Sequence, residues 1–264
     1  MQVRVERLGD QVVRVLASRI INGEFEGERA PSEQEICSEF GVSKTVAREV
    51  SKALAGMGLV AVQHGRRMQL RPRDEWDHFD PLLLELQTDH QTLRRSLKDL
   101  TDLRLLLEPE IAARAALDAT KEQRIELATL VAEMERSEDS PEEFLRRDAA
   151  FHLALARAGA NELIAYVVLS IRGLLAVSLR LTTGLPTAHH SATLEHERIL
   201  QAIERLDPDA ARAAMEAHLL HNAEGLGFVR RLGGALELDP EPPAGQRATY
   251  FDSTARVAPG ETAS

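Results

Sequence analysis

Asp148 and His152 stand four residues apart in "RRDAAFHLAL", residues 146–155. On a helix of about 3.6 residues per turn this spacing stacks a carboxylate over an imidazole on one face. Phe151, Leu153 and Leu155 give the pair an apolar setting. Two more imidazoles sit in apolar helical runs, His196 in "LEHERILQAI" and His218 in "MEAHLLHNAE". Leu194, Ile199, Leu200 and Ile203 mark the inward stripe around the first, and Met215 and Leu219 around the second. Three packed helices can steer one carboxylate and three imidazoles to one point, with further coordination positions open to water or a carboxylate ligand. Zinc is the leading expectation for such an N/O set, with nickel or manganese as alternatives. A plainer reading stands beside it: a lone His on an apolar face is more often a hydrogen-bonded core residue. His189, His190 and His221 receive no role at this stage.

The ligand candidates need a scaffold of helices, and the composition supplies one. Aromatic residues make up only 4% of the 264 residues, so the core must be built from Leu, Ala, Val and Ile, which favours helices. The length allows two domains. The single cysteine, Cys37, excludes an intrachain disulfide framework and points to a reducing cytoplasm. No run of about 18 apolar residues and no signal-peptide pattern occurs, so no membrane partner is expected. From about Gln91 the pattern predicts helices over 91–118, 121–137, 141–158, 161–183, 189–206 and 208–231, with Pro109 as a potential kink in the first. The last 32 residues, from Gly233, hold eight Gly or Pro, and a disordered tail is expected over 233–264.

The first 72 residues follow another plan. A helix over about Gly9–Ile21 ends at Asn22-Gly23. A second begins at Pro31-Ser32, with Ser32 and Glu35 at capping-box spacing, and stops at Gly41. A third takes Ser43 as its N-cap. Two short strands around His64-Gly65 follow. Helix, helix, short turn, helix, hairpin is the order of a winged helix-turn-helix. Lys44, Thr45 and Arg48 share an outward face near the start of the third helix, with Lys52 beyond them. From there they can reach base edges and phosphates. Ser32 and Ser43 stand at helix N-termini, where phosphates bind readily. Gly65, Arg66 and Arg67 form the expected wing tip. Residues 1–73 contain 12 Lys+Arg against 9 Asp+Glu, whereas residues 74–264 contain 20 against 33. A mildly basic head on an acidic body suits a domain that meets DNA. Residues 73–90, with Pro81 and "WDHFDP", read as a linker, and Trp76 as an apolar anchor docking that linker on the body.

Residues 8–70 resemble the DNA-binding domain of the GntR family of bacterial transcription regulators. The likeness is carried by Pro31, Ser32, Glu33, Gly41, Val42, Ser43, Val46, Arg48, Glu49, Leu54, Gly58 and Leu59. The chain departs from the family pattern at Lys44, where Arg is usual, at Ala47, and in a wing lacking the second Gly of the tip. Residues from about 93 to 230 resemble the FCD effector domain of the FadR subfamily, through "DLRLLLEPEIAARAA", "DAAFHLALARAGANELI" and "EHERILQAIERLDPDAARAAMEAHL". That resemblance implies an antiparallel helical bundle in which Asp148, His152, His196 and His218 bind a divalent metal and a carboxylate effector completes its coordination. It also implies that Arg104 faces the cavity to pair with the effector; a salt bridge to Glu108 at i+4 is the competing role. Asn161, Arg172 and Arg180 are further effector candidates. "WDHFDPLLLEL" is similar to a segment of the sugar-acid-sensing branch, near galactonate-type repressors.

The expected protein is therefore mainly α, with a winged helix-turn-helix over 1–72, a linker over 73–90 and a metal- and effector-binding, dimerising bundle over 91–232. It would bind double-stranded operator DNA as a homodimer, most simply as a repressor modulated by a small carboxylate such as a sugar acid. Two other readings fit the same residues: a DNA-binding protein whose bundle only dimerises, and a metallohydrolase using the Asp/His centre to activate water.

Overall fold

The structure, a computed structural model, describes residues 7–25, 29–62, 67–87, 90–159, 161–182, 186–225, 229–232 and 235–238. It divides into two compact units, residues 1–93 and 94–264.

In the first unit, α1 (Leu8–Ile21) buries Val12, Leu16, Ala17 and Ile20, positions separated by helical spacing. Ser32 caps α2 (Glu33–Phe40): its side chain accepts from Glu35 N, and the Glu35 carboxylate accepts from Ser32 N at 2.7 Å. The left-handed Gly41, φ 65°, ends that helix. Ser43 Oγ accepts from Val46 N at 3.3 Å to start α3 (Lys44–Gly56), which buries Ala47, Val50, Ser51 and Leu54. The strands β1 (Val60–Ala61) and β2 (Gln69–Leu70) pair antiparallel. Residues 63–66, the expected turn, lie outside the described residues.

The stretch expected to be a linker carries ordered structure instead. A 3-10 turn spans Arg73–Glu75, and α4 spans Pro81–Glu85 with Asp80 as N-cap. Leu83 is buried in the core of the first unit, and Trp76, Leu82 and Leu86 pack on the same core. Trp76 is therefore an anchor on the head rather than on the body, and its Nε1 donates to the Arg71 carbonyl at 3.0 Å. Leu83, with Leu82 and Leu86 beside it, holds this segment on the core after a proline at N1, and fully burying a leucine contributes about 1.5–3 kcal/mol.

Gly58 makes that return possible. Its φ is +72°, and a Cβ there would lie 2.5 Å from the Glu75 carbonyl oxygen. Gly58→Ala is expected to cost the first unit about 2–4 kcal/mol through left-handed strain and overpacking. Trp76 is the chain's single tryptophan and sits beside this contact. Urea unfolding followed by its fluorescence should show an earlier midpoint, and an unchanged midpoint would rule the strain out.

In the second unit, six helices follow: α5 (His90–Asp118), α6 (Lys121–Glu135), α7 (Pro141–Gly159), α8 (Glu162–Thr182), α9 (Pro186–Glu204) and α10 (Pro208–Gly225). α5 runs through Pro109 as one helix. The core joins Ile111, Leu127, Met134, Phe151, Ile199 and Met215 to a set of buried alanines. Small side chains let the helix backbones approach closely: a Cβ on Gly159 would collide with the Ile111 carbonyl and the Ala115 amide across the α5–α7 contact.

The C-terminal end departs from expectation. α10 stops at Gly225 rather than 231, and β3 (Val229–Leu232) pairs antiparallel with β4 (Ala235–Leu238), with Arg230 opposite Glu237. The expected disordered tail is thus a strand over 235–238, and the rest of it lies outside the described residues. The cause is local. Two short runs with β-compatible apolar ends flank Gly233-Gly234, a two-residue hairpin signal that a composition average conceals. Among the described residues no helix is long and apolar enough to cross a membrane.

Candidate metal centre

α7 presents Asp148 and His152 one turn apart, α9 brings His196 and α10 brings His218. The four side chains are buried, and one ligand atom from each lies within 4.8 Å of the others. His196 Nε2 is 3.4 Å from His152 Nε2 and 3.4 Å from Asp148 Oδ1. Bonds of about 2.05 Å to a tetrahedral ion separate ligand atoms by about 3.3 Å. The closest spacings thus already match a coordination shell.

The ring tautomers point the same way. His196 Nδ1 donates to the Ala192 carbonyl at 2.7 Å, and His218 Nδ1 donates to Glu195 Oε2 at 3.0 Å. His152 Nδ1 lies 2.7 Å from Glu108 Oε2, a close contact without a hydrogen bond. With every Nδ1 facing an acceptor, the Nε2 lone pairs converge on the centre. Burial outweighs the help of Asp148 and, with a smaller contribution from His152, pushes His196 down to about 4. Burial and the adjacent imidazoles push His218 well below its ordinary value. Both rings are neutral at pH 7, as ligation requires.

The buried charges also favour a cation. Asp148, Glu108 and Glu195 are buried carboxylates, and Arg104 is the buried cation beside them. Burial raises the Glu108 carboxyl, but Arg104 and His152 prevail and hold it well below the usual range. Burial raises Glu195, against the lowering influence of His221 and Arg198. Of the three carboxylates, Asp148 faces the imidazoles directly, so a cation held between them would offset the cost of its burial. Two donors meet the same lone pairs: Arg104 Nη2 lies 3.2 Å from His152 Nε2, and Asn222 Nδ2 lies 3.2 Å from His218 Nε2.

Arg104 takes both of the positions weighed for it. Its Nε donates to Glu108 Oε1 at 2.7 Å while its Nη2 reaches the centre. Asn161 does not join them. It is exposed, and its Oδ1 accepts from Ile164 N at 3.0 Å as the N-cap of α8. A short amide after a helix break is taken by the next helix's unpaired amides before it can reach a cavity. The side chains of Arg172 and Arg180, both on α8, lie outside the described residues. Glu108 as a partner of His152, and Glu195 as a partner of His218, have no counterpart in the sequence reading, because each pair spans two helices and no intrahelical spacing signals it. His221, given no role there, lies 2.8 Å from Glu195 Oε1 through its Nδ1.

In the first unit Lys44, Thr45, Arg48 and Lys52 are all exposed on the α3 face opposite Ala47, Val50 and Leu54. Arg48 sits 3.7 Å from Glu33, and Lys52 pairs with Glu49 at 2.9 Å. Arg67 pairs with Glu35 at 2.5 Å, and Ser32 and Ser43 serve as helix caps. Gly65 and Arg66 lie outside the described residues.

Residues 8–69 match the bacterial regulatory protein gntR family, and residues 99–221 match the FCD domain. The regulator LutR of Bacillus subtilis (strain 168) is 32% identical over 206 residues, covering 76% of this chain and 92% of that protein. The chain belongs to the GntR family. This GntR regulator is also 31% identical to the repressor NanR of Escherichia coli (strain K12) over 217 residues, 81% of the chain and 82% of NanR. It is 28% identical to the galactonate operon transcriptional repressor of the same strain over 207 residues, 78% of the chain and 90% of that repressor. A solved structure of Lar from Listeria monocytogenes shares the fold, with TM-score 0.64 and 17% identity over 85% of this chain and 99% of that one. The GntR regulator is a DNA-binding transcription regulator, not an enzyme, which sets the metallohydrolase reading aside.

Proposed function

We propose that this regulator is a cytoplasmic, homodimeric repressor that holds a divalent metal at Asp148, His152, His196 and His218 and responds to a small carboxylate. The observation that carries this reading is the buried convergence of three imidazoles and one carboxylate, with the His196 and His218 rings held neutral by burial. Zinc is the leading candidate, with nickel or manganese as alternatives. Bound there, such an ion supplies Lewis acidity and open positions for an anionic oxygen. Arg104 supplies the second handle. Its guanidinium, oriented by Glu108, can pair with a carboxylate that enters beside His152. The galactonate repressor among the relatives makes a sugar acid the favoured class.

Sensing must reach the DNA-binding unit, and α5 offers a covalent route. It carries Arg104 and Glu108 at the centre, and its own start, His90, lies within the first unit. An acid that draws Arg104 away from Glu108 or His152 biases α5. The shift in operator affinity is then limited to about 1–3 kcal/mol, or roughly 5–150-fold. Lys44, Thr45, Arg48 and Lys52 on α3, with Ser32, Ser43 and the wing residues Gly65, Arg66 and Arg67, are the proposed DNA contacts. Two copies of α3 would read two half-sites one helical turn apart.

The test is a titration of operator DNA with metal-loaded protein at fixed salt, with and without aldonates. The expected result is a weakening of roughly 5–150-fold at saturating acid, lost on chelation. An operator affinity that no small acid alters would defeat the sensing role, leaving a bundle that only dimerises.

A further inference from the structure

His189 stands on the α9 face that carries His196. Seven residues separate them, which is about two turns and roughly 10 Å along the axis. The His189 side chain is 1% exposed. Its ring stacks on Phe144 with centroids 4.4 Å apart and planes at 21°, and Phe144 lies one turn before Asp148 on α7. The ring is therefore fixed on the wall shared by α7 and α9, at a distance from the metal centre.

Its nitrogens are not equivalent. Nδ1 lies 2.8 Å from the Glu138 main-chain carbonyl, which can only accept, so Nδ1 carries the proton. The Glu138 carboxylate is engaged by exposed His190 at 3.2 Å. Nε2 of His189 is buried and has no hydrogen-bond partner among the described residues. In the neutral ring that atom is a bare acceptor. A buried polar atom without a partner calls for an explanation, and the chemistry that satisfies this one is an N–H or O–H donor.

We propose that His189 is the far anchor of the effector site. Its Nε2 accepts a hydrogen bond from the terminal hydroxyl of a hydroxylated monocarboxylic acid whose carboxylate is held at the Asp148, His152, His196 and His218 end. This rests on the carboxylate-sensing reading above and narrows its ligand class. A second carboxylate, ionised and without a proton, has nothing to give Nε2, and neither has an alkyl chain. The residue thus selects acids that end in a hydroxyl over dicarboxylic and plain fatty acids of equal length.

The experiment is calorimetric titration of the full-length, zinc-loaded protein with a six-carbon aldonate, the matching six-carbon aldarate and hexanoate. Wild type is compared with His189→Phe, which keeps the stacking but removes the acceptor, with His189→Gln, which retains an acceptor, and with Asp148→Ala. His189→Phe is expected to weaken the aldonate by roughly tenfold to a hundredfold while hexanoate changes by less than about twofold, with His189→Gln recovering part of the loss. Equal losses for all three acids, or an unchanged aldonate, overturn the proposal. Should His189→Phe fail to fold, the wild-type 15N resonance of His189 Nε2 decides: it must shift on adding aldonate and stay in place with hexanoate. Aldonate binding that survives Asp148→Ala yet still depends on His189 would sink the metal reading and keep this one. Binding lost in Asp148→Ala but indifferent to His189 would do the reverse, and no acid binding to wild type would sink both.

Discussion

Replacing Asp148 or His196 by alanine should strip the ion from the protein without unfolding it. Four-ligand zinc sites hold their ion with about 10–16 kcal/mol, so losing one ligand costs about 2.5–4 kcal/mol, or roughly 10²–10³-fold in affinity. Glu195→Gln and Glu108→Gln, which act through His218 and His152, should cost only about 10–100-fold. That graded order separates a coordination site from a merely acidic pocket. Fold stability gives a second, opposite-signed readout. Asp148→Ala removes a buried carboxylate set against the His152 and His196 rings, so the metal-free variant should melt no lower than metal-free wild type. Added metal should then raise the melting temperature of wild type alone, because only the native state with intact ligands binds it. Elemental analysis and thermal melting with and without chelator measure both. A variant that keeps about one ion per chain, or a wild type whose melting is indifferent to metal, would remove the site.

The parts of the centre that were legible before the structure are those written along a single helix. Asp148 and His152 declare themselves by i, i+4 spacing, and His196 and His218 by lying on apolar stripes whose inward direction is fixed by Ile199, Ile203, Met215 and Leu219. The groups that set ring orientation were not legible. Glu108 and Glu195 meet His152 and His218 across helix–helix contacts, and one sequence holds no pairwise signal for that. Asn161 shows the opposite failure, since a residue suited to a polar cavity suits an N-cap equally well, and the cap is the local choice. In the first unit the caps at Ser32 and Ser43 were readable from three-residue spacing. The return of Leu83 onto the core depended on the left-handed Gly58 and on the Asp77 N to Met57 O bond at 2.9 Å, which no periodicity reveals.

The second large effect concerns the other end of the chain. The double variant Lys44→Ala, Arg48→Ala should lose specific operator binding by about 10²-fold or more at fixed salt, since each good base-edge contact contributes about 1–3 kcal/mol. Both side chains leave an exposed face of α3, so the fold has little to lose. Arg48 is only loosely held, 3.7 Å from Glu33 with both groups partly in water; such a pair contributes about 0–1 kcal/mol and yields readily to a base. Lys52 lies two turns along α3 from Lys44 and pairs with Glu49. Lys52→Ala should weaken operator and scrambled DNA about equally and lower the salt slope by about one. Arg67→Ala carries a different risk, because Arg67 supports Glu35. Hydrogen bonds from Ser32 hold the Glu35 carboxyl below its ordinary value against the opposing effect of burial, and the Arg67 charge adds a smaller lowering. A loss of binding in that variant must therefore be checked against α2 stability. Fluorescence anisotropy on matched operator and scrambled duplexes separates the three patterns. If the double variant keeps its preference for operator over scrambled DNA, then α3 is not the reading helix, and the protein must read its operator through some other surface.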